Sequence, residues 1–397
     1  MAQELYELQE GWDWSTLAEQ TITTKNIKPT SAPKQQFTYI DISSIDRYSN
    51  QIIDPKIIFG SEAPSRAKKE LFENDVLFAT TRPNLKNVAI FSGGVESPVA
   101  STGFCVLRAG KNIDPGFLFR FLTTEFVQQH ISPFISGAQY PAITDKNLKL
   151  TPIPLPPLNE QKRIVAKINA LFTRIDTAIT HLQQTLELSQ ALFASALDGA
   201  VRPKEIPDNW IEGKLGEFAS FSQGLQVPVG DQIHEFSEGL VQFLRISDFV
   251  RDDEPARYIQ DPGDRYKVRE QDLSMIRYGD AGKVVRGYSG AIANNLFRIN
   301  AIDVFNVDFL YYLLSSPSVY GFLRAGNTSS TMPAISFKVV KNLPILIPPI
   351  EEQKKIIVYL DDLSERTRSI EVTTQEKLDD LYALKASLLD AAFKGQL

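Results

Sequence analysis

The stretch PPLNEQKRIV at residues 156–165 returns later in the chain as PPIEEQKKII at residues 348–357. The two copies lie 192 residues apart (348 − 156), about half of the 397-residue chain. This period is too long for a solenoid, whose units run roughly 20–50 residues. Because a run without Pro or Gly follows each copy, the motif predicts a duplicated domain, each copy of which leads into a helix.

Shorter matches flank the motif in the same order. YPAIT at 140–144 matches MPAIS at 332–336, Trp12 matches Trp210, and ENDVL at 73–77 resembles EQDLS at 270–274. The alternative, chance similarity of proline-rich linkers, does not explain several matches in one order. The offsets vary, so the halves share a framework and differ in their loops. The predicted segments are two globular domains and two helices: 1–157, 158–200, 201–347 and 348–397.

Composition limits the class of protein. The net charge is −6, which argues against a nonspecific polycation, and DNA binding would need basic surfaces on an acidic molecule. No run of 18 apolar residues is present and the first residues do not resemble a signal peptide, so no membrane partner is expected. Cys105 is the single cysteine, which fits a reducing cytoplasm.

Apolar residues recur at spacings of three and four after each motif, which predicts two amphipathic helices. Gly199 and Gly395 were the expected helix ends, which would make the second helix four residues longer (42 against 38). The predicted seam residues are Ile164, Ile168, Leu171, Ile175, Ile179 and Leu182 in the first helix, and Ile356, Leu360, Leu363, Ile370 and Leu381 in the second.

An apolar stripe as long and narrow as these needs a second apolar stripe to pack against, and the other helix is the simplest partner. The predicted fold class is therefore α+β: two pseudo-symmetric globular domains joined by two long antiparallel helices that form a coiled coil. The alternative is that each helix packs only on its own domain.

The globular segments indicate short strands and helices. Val76–Ala79 and Val88–Phe91 form a predicted strand pair, and residues 277–286 occupy the corresponding place in the second half. Loops that mix cations, amides and glycines can reach phosphates or base edges, although a solvated hairpin is the simpler alternative. The candidate DNA-binding residues are Arg82, Asn84, Lys86, Gln139, Arg277, Tyr278, Lys283, Arg286, Thr328 and Ser329.

Residues of the kinds that carry catalysis are sparse. His130, His181 and His234 lack metal-ligand spacing, and no Walker A, G-x-S-x-G or G-x-G-x-x-G motif occurs. An Asn-Pro-Pro-aromatic sequence of the kind that amino-methyltransferases use is also missing. The sequence therefore predicts a chain that is not an enzyme and holds no metal or cofactor of its own.

The order of aromatic-rich domain, PLPPLNEQKRI, long helix, and the same again resembles the specificity subunit of type I restriction–modification systems. The resemblance covers essentially the whole chain. It implies that each globular segment is a target recognition domain that reads one half of a split double-stranded DNA sequence. It also implies that the helices set the gap and dock two methyltransferase subunits, which would bind S-adenosylmethionine, and that a restriction–translocase subunit could join. Individual DNA-contacting residues do not carry over.

Two rival hypotheses belong to other classes. A structural adaptor could present two protein-binding domains on a rod without binding DNA. An enzyme with an unrecognised site is the other rival, and the absence of catalytic motifs disfavours it. Binding to DNA that depends on sequence and salt separates the first hypothesis from the adaptor.

Overall fold

The computed structural model describes residues 5–137, 139–251, 253–326 and 334–397. The chain divides into two compact units: unit 1 comprises residues 1–182 and 376–397, and unit 2 comprises residues 183–375. Each unit therefore holds one globular domain together with a part of both long helices. Among the described residues, no helix is both long enough and apolar enough to cross a membrane.

The domain of unit 1 contains two four-stranded sheets and a two-stranded pair that joins its first and last strands. Phe104–Ala109 is central to one sheet and lies antiparallel to Val76–Ala79. The other strands are Asp13–Thr16, Thr21–Ile22, Gln36–Ile40, Ile45–Asp46, Gln51–Ile52, Lys56–Phe59, Ala67–Glu70, Val88–Ile90, Pro98–Ser101 and Pro152–Leu155; the helices are Leu17–Gln20, Pro115–Leu122, Glu125–Ile131 and Asp145–Lys149.

The domain of unit 2 repeats the two four-stranded sheets and the two-stranded pair, but its described residues form no counterpart of the hairpin that Ile45–Asp46 and Gln51–Ile52 make in unit 1. Leu296–Ala301 is its counterpart of Phe104–Ala109 and lies antiparallel to Leu273–Ile276. The other strands are Ile211–Lys214, Ala219–Gln223, Leu240–Leu244, Tyr258–Gln260, Lys267–Val268, Val284–Val285, Gly290–Ile292 and Pro344–Ile347; the helices are Leu215–Phe218, Ile246–Val250, Val307–Ser315, Pro317–Ala325 and Phe337–Lys341. The predicted duplication of an α+β domain is confirmed.

Two long helices follow the proline motifs: the central helix, Leu158–Val201, and the C-terminal helix, Ile350–Phe393. Each has 44 residues, so the predicted difference in length is wrong. Gly199 lies inside the central helix, because Val201 is fully buried in the core of unit 2 and that packing outweighs the cost of about 1 kcal/mol for a helical glycine. Pro203, which cannot continue a helix, follows shortly after its end.

Gly395 does end the C-terminal helix, as predicted. Its φ is +75°, in the left-handed region that favours glycine. Its N–H donates to the Ala392 carbonyl at 3.2 Å, and the Gln396 N–H donates to the Ala391 carbonyl at 2.8 Å. This is the hydrogen-bond pattern of a Schellman cap.

The long helices pack against each other in antiparallel directions within each unit. In unit 1, Lys385 Nζ contacts Asp176 Oδ1 at 2.7 Å, while Arg163 donates to a backbone oxygen of Leu397 at 2.7 Å. In unit 2, Gln190 donates to Glu371 at 2.9 Å, and Leu360 shares a core with Leu197. The predicted pairing of the two helices is confirmed.

Most predicted seam positions are buried or half-buried, and Ile370 is the exception. It is 41% exposed, whereas the polar residues Ser189 and Thr374 are 8% and 5% exposed and occupy the interior. Thr367 is half-buried. The prediction selected Ile370 for its apolar side chain, but the helical period places Thr367 and Thr374 inward on this stretch. The placement of Ile370 in the seam was therefore wrong.

The glutamine that both copies of the motif contain is the centre of a buried cluster of hydrogen bonds. Gln161 is fully buried; its Oε1 accepts from the Asp114 N–H at 2.8 Å, and its Nε2 donates to the carbonyls of Asn112 at 3.0 Å and Pro156 at 2.8 Å. Asp114 is the N-cap of Pro115–Leu122. The glutamine therefore ties the start of the central helix to the domain that precedes it.

Gln353 makes the equivalent contacts in unit 2. Its Oε1 accepts from the N–H of Asn306, the N-cap of Val307–Ser315, at 2.7 Å. Its Nε2 donates to the carbonyls of Val304 and Pro348, both at 2.8 Å. The same amide thus joins each domain to the helix that follows it.

Replacing Gln161 by Leu removes three hydrogen bonds and leaves buried backbone groups unpaired. We expect the free energy of unfolding to fall by about 2–5 kcal/mol, because each unsatisfied buried group costs roughly 1–3 kcal/mol. Urea unfolding of the full chain measures this. Gln183→Leu, at an exposed position of the same helix, is the control and should change stability by no more than about 0.5 kcal/mol. Equal stability of the two variants would contradict the tying role of Gln161.

The end of the C-terminal helix completes the core of unit 1. Phe393 is 3% exposed, and its ring centroid lies 4.9 Å from that of Phe117 and 5.3 Å from that of Phe121. The Tyr6 hydroxyl donates to the Phe393 carbonyl at 2.8 Å. Residues from the two extremes of the chain are therefore parts of one core.

We expect Phe393→Ala to destabilise the protein by about 3–5 kcal/mol, the usual cost of removing a buried aromatic ring. Phe393→Leu should cost clearly less, since it keeps most of the buried volume. Urea unfolding followed by tryptophan fluorescence is suitable because Trp12 and Trp14 belong to unit 1. An alanine variant as stable as wild type would show that the end of this helix is not part of the core.

Candidate nucleic-acid interface

The loop between Val76–Ala79 and Val88–Ile90 carries three of the candidate residues. These strands pair antiparallel, as predicted. A single turn of 3-10 helix, Pro83–Leu85, separates Arg82 from Lys86. Both cations adopt a left-handed backbone, each with φ of 51°. Non-glycine residues in this conformation are uncommon and carry strain, which often occurs at functional sites.

A second segment docks on this loop in unit 1. Thr81 forms a β-bridge with Ala142, and the Arg82 N–H donates to the Pro141 carbonyl at 2.6 Å. The Arg82 guanidinium lies 5.6 Å from the ring centroid of Tyr140, which is 68% exposed. Gln139, adjacent to Tyr140, is also exposed. The structure therefore brings together Arg82 and Tyr140, which are distant in sequence.

The other two candidates in this loop differ in their surroundings. Asn84 is exposed. Lys86 Nζ contacts Glu125 Oε2 at 2.7 Å, and both side chains are partly exposed, so this ion pair contributes little to stability. A ligand with negative charge could replace the carboxylate at low cost.

The loop of unit 2 has the same framework as the loop of unit 1, and its backbone hydrogen bonds show which residues correspond. Tyr278 forms a β-bridge with Ala334, and the Ile335 N–H donates to the Arg277 carbonyl at 3.0 Å. In unit 1 the corresponding bond runs from Ile143 to Thr80. Arg277 therefore corresponds to Thr80, so Arg82 and Arg277 occupy different positions of the shared loop.

The counterpart of Arg82 is Gly279, whose φ is +75°. The left-handed backbone is thus a property of this position in both units. In unit 1 an arginine occupies it despite the strain. The cations that the register makes equivalent are Lys86 and Lys283.

Side chains of the second loop contact their own domain to different extents. The Arg277 guanidinium lies 5.3 Å from the Tyr278 ring and 5.5 Å from the Phe337 ring. Lys283 is exposed and lies 3.6 Å from Asp280. Arg286 forms an ion pair with Asp308 and lies 4.2 Å from the Tyr311 ring, so its side chain is already engaged within the domain. Thr328 and Ser329 lie outside the described residues.

The candidate residues selected from the sequence did not include Tyr140, which is adjacent to Gln139. The register of the second loop agrees with the offset of 197 residues (270 − 73) between ENDVL and EQDLS, which aligns Arg82 with Gly279. Within the described part of the chain, no group of three or more His, Cys, Asp or Glu side chains is placed to hold a metal ion.

The chain contains two copies of one α+β domain. Each copy has a loop that carries cations, and each is fixed to the start of a long helix. This arrangement is that of a duplicated recognition protein. The family model for the type I restriction modification DNA specificity domain matches residues 10–188 and 207–380. The chain therefore belongs to this family.

Two curated relatives match this chain along about nine-tenths of their own length. The chain is 24% identical to the type I restriction enzyme StySPI specificity subunit of Salmonella potsdam, over 97% of this chain and 89% of that protein. It is 25% identical to the type I restriction enzyme EcoKI specificity subunit of Escherichia coli K12, over 98% and 90%. These matches support the family on both halves of the chain.

Two solved structures are similar to this chain along nearly their whole length. One, from work on complex assembly and conformational transition of the type I R-M system, has a TM-score of 0.84 at 32% identity and covers 99% of this chain and 100% of that chain. The crystal structure of the HsdS subunit from Thermoanaerobacter tengcongensis has a TM-score of 0.56 at 31% identity and covers 99% of both chains. The resemblance identified from the proline motifs is confirmed.

Proposed function

We propose that this chain is the DNA-recognition subunit of a type I restriction–modification complex, in which each globular domain reads one half of a bipartite target. Membership of the specificity-domain family supports the role, and the duplicated topology provides two similar binding surfaces. The comparisons give no support to the rival adaptor that does not bind DNA.

The observation that carries the proposal most directly is the strained arginine of unit 1. Arg82 holds a left-handed backbone where unit 2 has Gly279, and it lies beside the exposed ring of Tyr140. A guanidinium can form two hydrogen bonds with a guanine edge or a phosphate, and an aromatic ring adds stacking. In unit 2, Arg277, Tyr278 and Lys283 are the candidates, with Thr328 and Ser329 as further candidates from the sequence.

The partners follow from the same role. Two methyltransferase subunits, which bind S-adenosylmethionine, would dock on the long helices and carry the chemistry, so this chain would itself be non-catalytic. A restriction–translocase subunit could join them. Leu188 and Leu192 of the central helix are 70% and 62% exposed and lie one helical turn apart. An exposed apolar pair of this kind supports protein docking on the helix.

Methylome sequencing of a host that carries this chain and its methyltransferase tests the role. The expected result is one bipartite target with two defined half-sites and an undefined gap. Mobility shifts of the complex with that target then measure specific and nonspecific affinity at several salt concentrations. Binding that depends on neither sequence nor salt would contradict the proposal.

Replacing Arg82 by Gly separates recognition from folding. We expect stability within about 1 kcal/mol of wild type, since relief of left-handed strain offsets the greater freedom of glycine in the unfolded chain. Specific DNA affinity should fall about 5- to 150-fold if the guanidinium contacts a base edge, a contact worth roughly 1–3 kcal/mol. Fluorescence anisotropy with the methyltransferase complex measures it.

Asn74→Gly is the matched control for this variant. Asn74 also has a left-handed backbone, with φ of 71°, in the same domain but outside the candidate loop. Its substitution should leave DNA affinity unchanged. Wild-type affinity for Arg82→Gly at every salt concentration would remove Arg82 from the interface.

The spacer role can be tested by inserting four residues between Thr185 and Leu186. A matching insertion of four residues near Gln375 keeps the two helices paired. Four residues lengthen a helix by about 6 Å and nearly preserve its face. We expect both half-sites to stay unchanged while the gap between them grows by about two base pairs at 3.4 Å each. Methylome sequencing shows both; a changed half-site would contradict the spacer role.

A further inference from the structure

A recess of about 160 Å³ lies in unit 1, where the Lys86 loop and a hairpin of the domain meet the long helices. Five charged side chains line it, and only Glu125 is acidic. On a chain whose net charge is −6, this concentration of positive charge is unusual. The four cations are Arg47, Lys86, Arg120 and Lys385.

Aromatic or amide groups contact three of these cations. The Arg120 guanidinium donates through Nε and Nη2 to Asn169 Oδ1, at 3.0 and 2.7 Å. The Phe172 ring has Arg120 at 4.9 Å and Lys385 at 4.7 Å from its centroid. Arg47 lies over the Tyr48 ring at 4.8 Å. Cations packed on aromatic rings lose little further freedom when an anion binds.

The positive charge of the recess is only partly neutralised. Lys86 pairs with Glu125 and Lys385 pairs with Asp176, both at 2.7 Å. Among the described residues, neither Arg47 nor Arg120 forms an ion pair. Burial lowers the pKa of the Arg120 guanidinium, and the Asp176 carboxylate offsets this only in part. A partly desolvated guanidinium that contacts a neutral amide can gain more from an incoming anion than a solvated one can.

Unit 2 has different chemistry at the positions that correspond to Arg120 and Asn169. Tyr312, which corresponds to Arg120 at an offset of 192 (312 − 120), donates its hydroxyl hydrogen to Asp361 Oδ1 at 2.5 Å. A tyrosine that is bonded to a carboxylate therefore stands in unit 2 where unit 1 has an arginine that is bonded to a neutral amide.

We propose that the cationic recess of unit 1 binds a phosphate group of the DNA backbone. This proposal rests on the proposed function, because it assumes that unit 1 binds DNA. The space equals the share of about five water molecules at roughly 30 Å³ each, which is enough for one phosphate group. Lys86 belongs both to the recess and to the candidate loop, so a phosphate bound here lies next to the bases that Arg82 would contact. Such a contact positions the duplex without reading its sequence.

The salt dependence of DNA binding tests the proposal with the complex of full chain and methyltransferase. The variants are Arg47→Gln, which changes an exposed side chain, Arg120→Gln, and both together. Lys111→Gln, exposed and outside the recess, is the charge-matched control. Thermal melting confirms that each variant is folded, and Arg120→Lys restores the charge if the glutamine variant is destabilised.

We expect the double variant to lower the slope of log affinity against log salt by about 0.9, the value for one phosphate contact, and to weaken binding about three- to tenfold at 0.1 M salt, with each single variant between it and wild type. Specific and nonspecific duplexes should lose affinity equally, so their ratio stays that of wild type, and Lys111→Gln should behave as wild type. An unchanged slope in the double variant would overturn the proposal, as would a changed ratio, which indicates a base contact.

Inorganic phosphate distinguishes a DNA site from a site for a free anion. Millimolar phosphate could raise the melting temperature of wild type but not of the double variant. If both proteins then bind DNA equally, the recess is a site for a free anion and the proposal is overturned. Wild-type complex that binds no specific DNA would instead remove the proposed function itself. The two failures are therefore distinguishable.

Discussion

The buried carboxamide of Gln161, repeated as Gln353, is the contact on which the rest of the fold depends. It accepts from the N-cap of a domain helix and donates to two carbonyls, one of them in the proline turn that begins the long helix. Few side chains could replace it, because the site requires one acceptor and two donors in one plane. The direction in which each long helix leaves its domain is therefore fixed by hydrogen bonds that water cannot replace.

The seam between the helices in unit 2 combines apolar and polar layers. Leu360 and Leu197 give close packing near the domain, whereas Ser189, Thr374 and the bond from Gln190 to Glu371 occupy the stretch farther along. Polar groups in a helical seam cost stability and can fix which residues face each other. A uniformly apolar seam would permit slippage by a turn, and slippage would change any distance that the helices set.

The sequence was sufficient for the duplication, the α+β class and the two paired helices, because a repeated motif and a helical apolar period are both local patterns. Predictions from the sequence failed where tertiary packing determines the structure. Gly199 was predicted to end the helix, but the burial of Val201 extends the helix beyond it. Ile370 was predicted to lie in the seam, but Thr374 is buried there instead. The contact between Arg82 and Tyr140 depends on a bridge between segments about 60 residues apart, which no local pattern reveals.

The equivalence of the two loops shows how one framework can hold two specificities. The bridges Thr81–Ala142 and Tyr278–Ala334 fix the same backbone in both units, so the side chains carried on it can vary without disturbing the domain. At one position of the loop this freedom gives Arg82 in unit 1 and Gly279 in unit 2; on a domain helix the corresponding residues differ in the same way, with Arg120 in unit 1 and Tyr312 in unit 2. Because the framework bonds are made by the backbone and by the buried glutamines, substitutions in the loops can change recognition at small cost in stability. Two half-sites read by one repeated fold require such a separation of framework from contact residues.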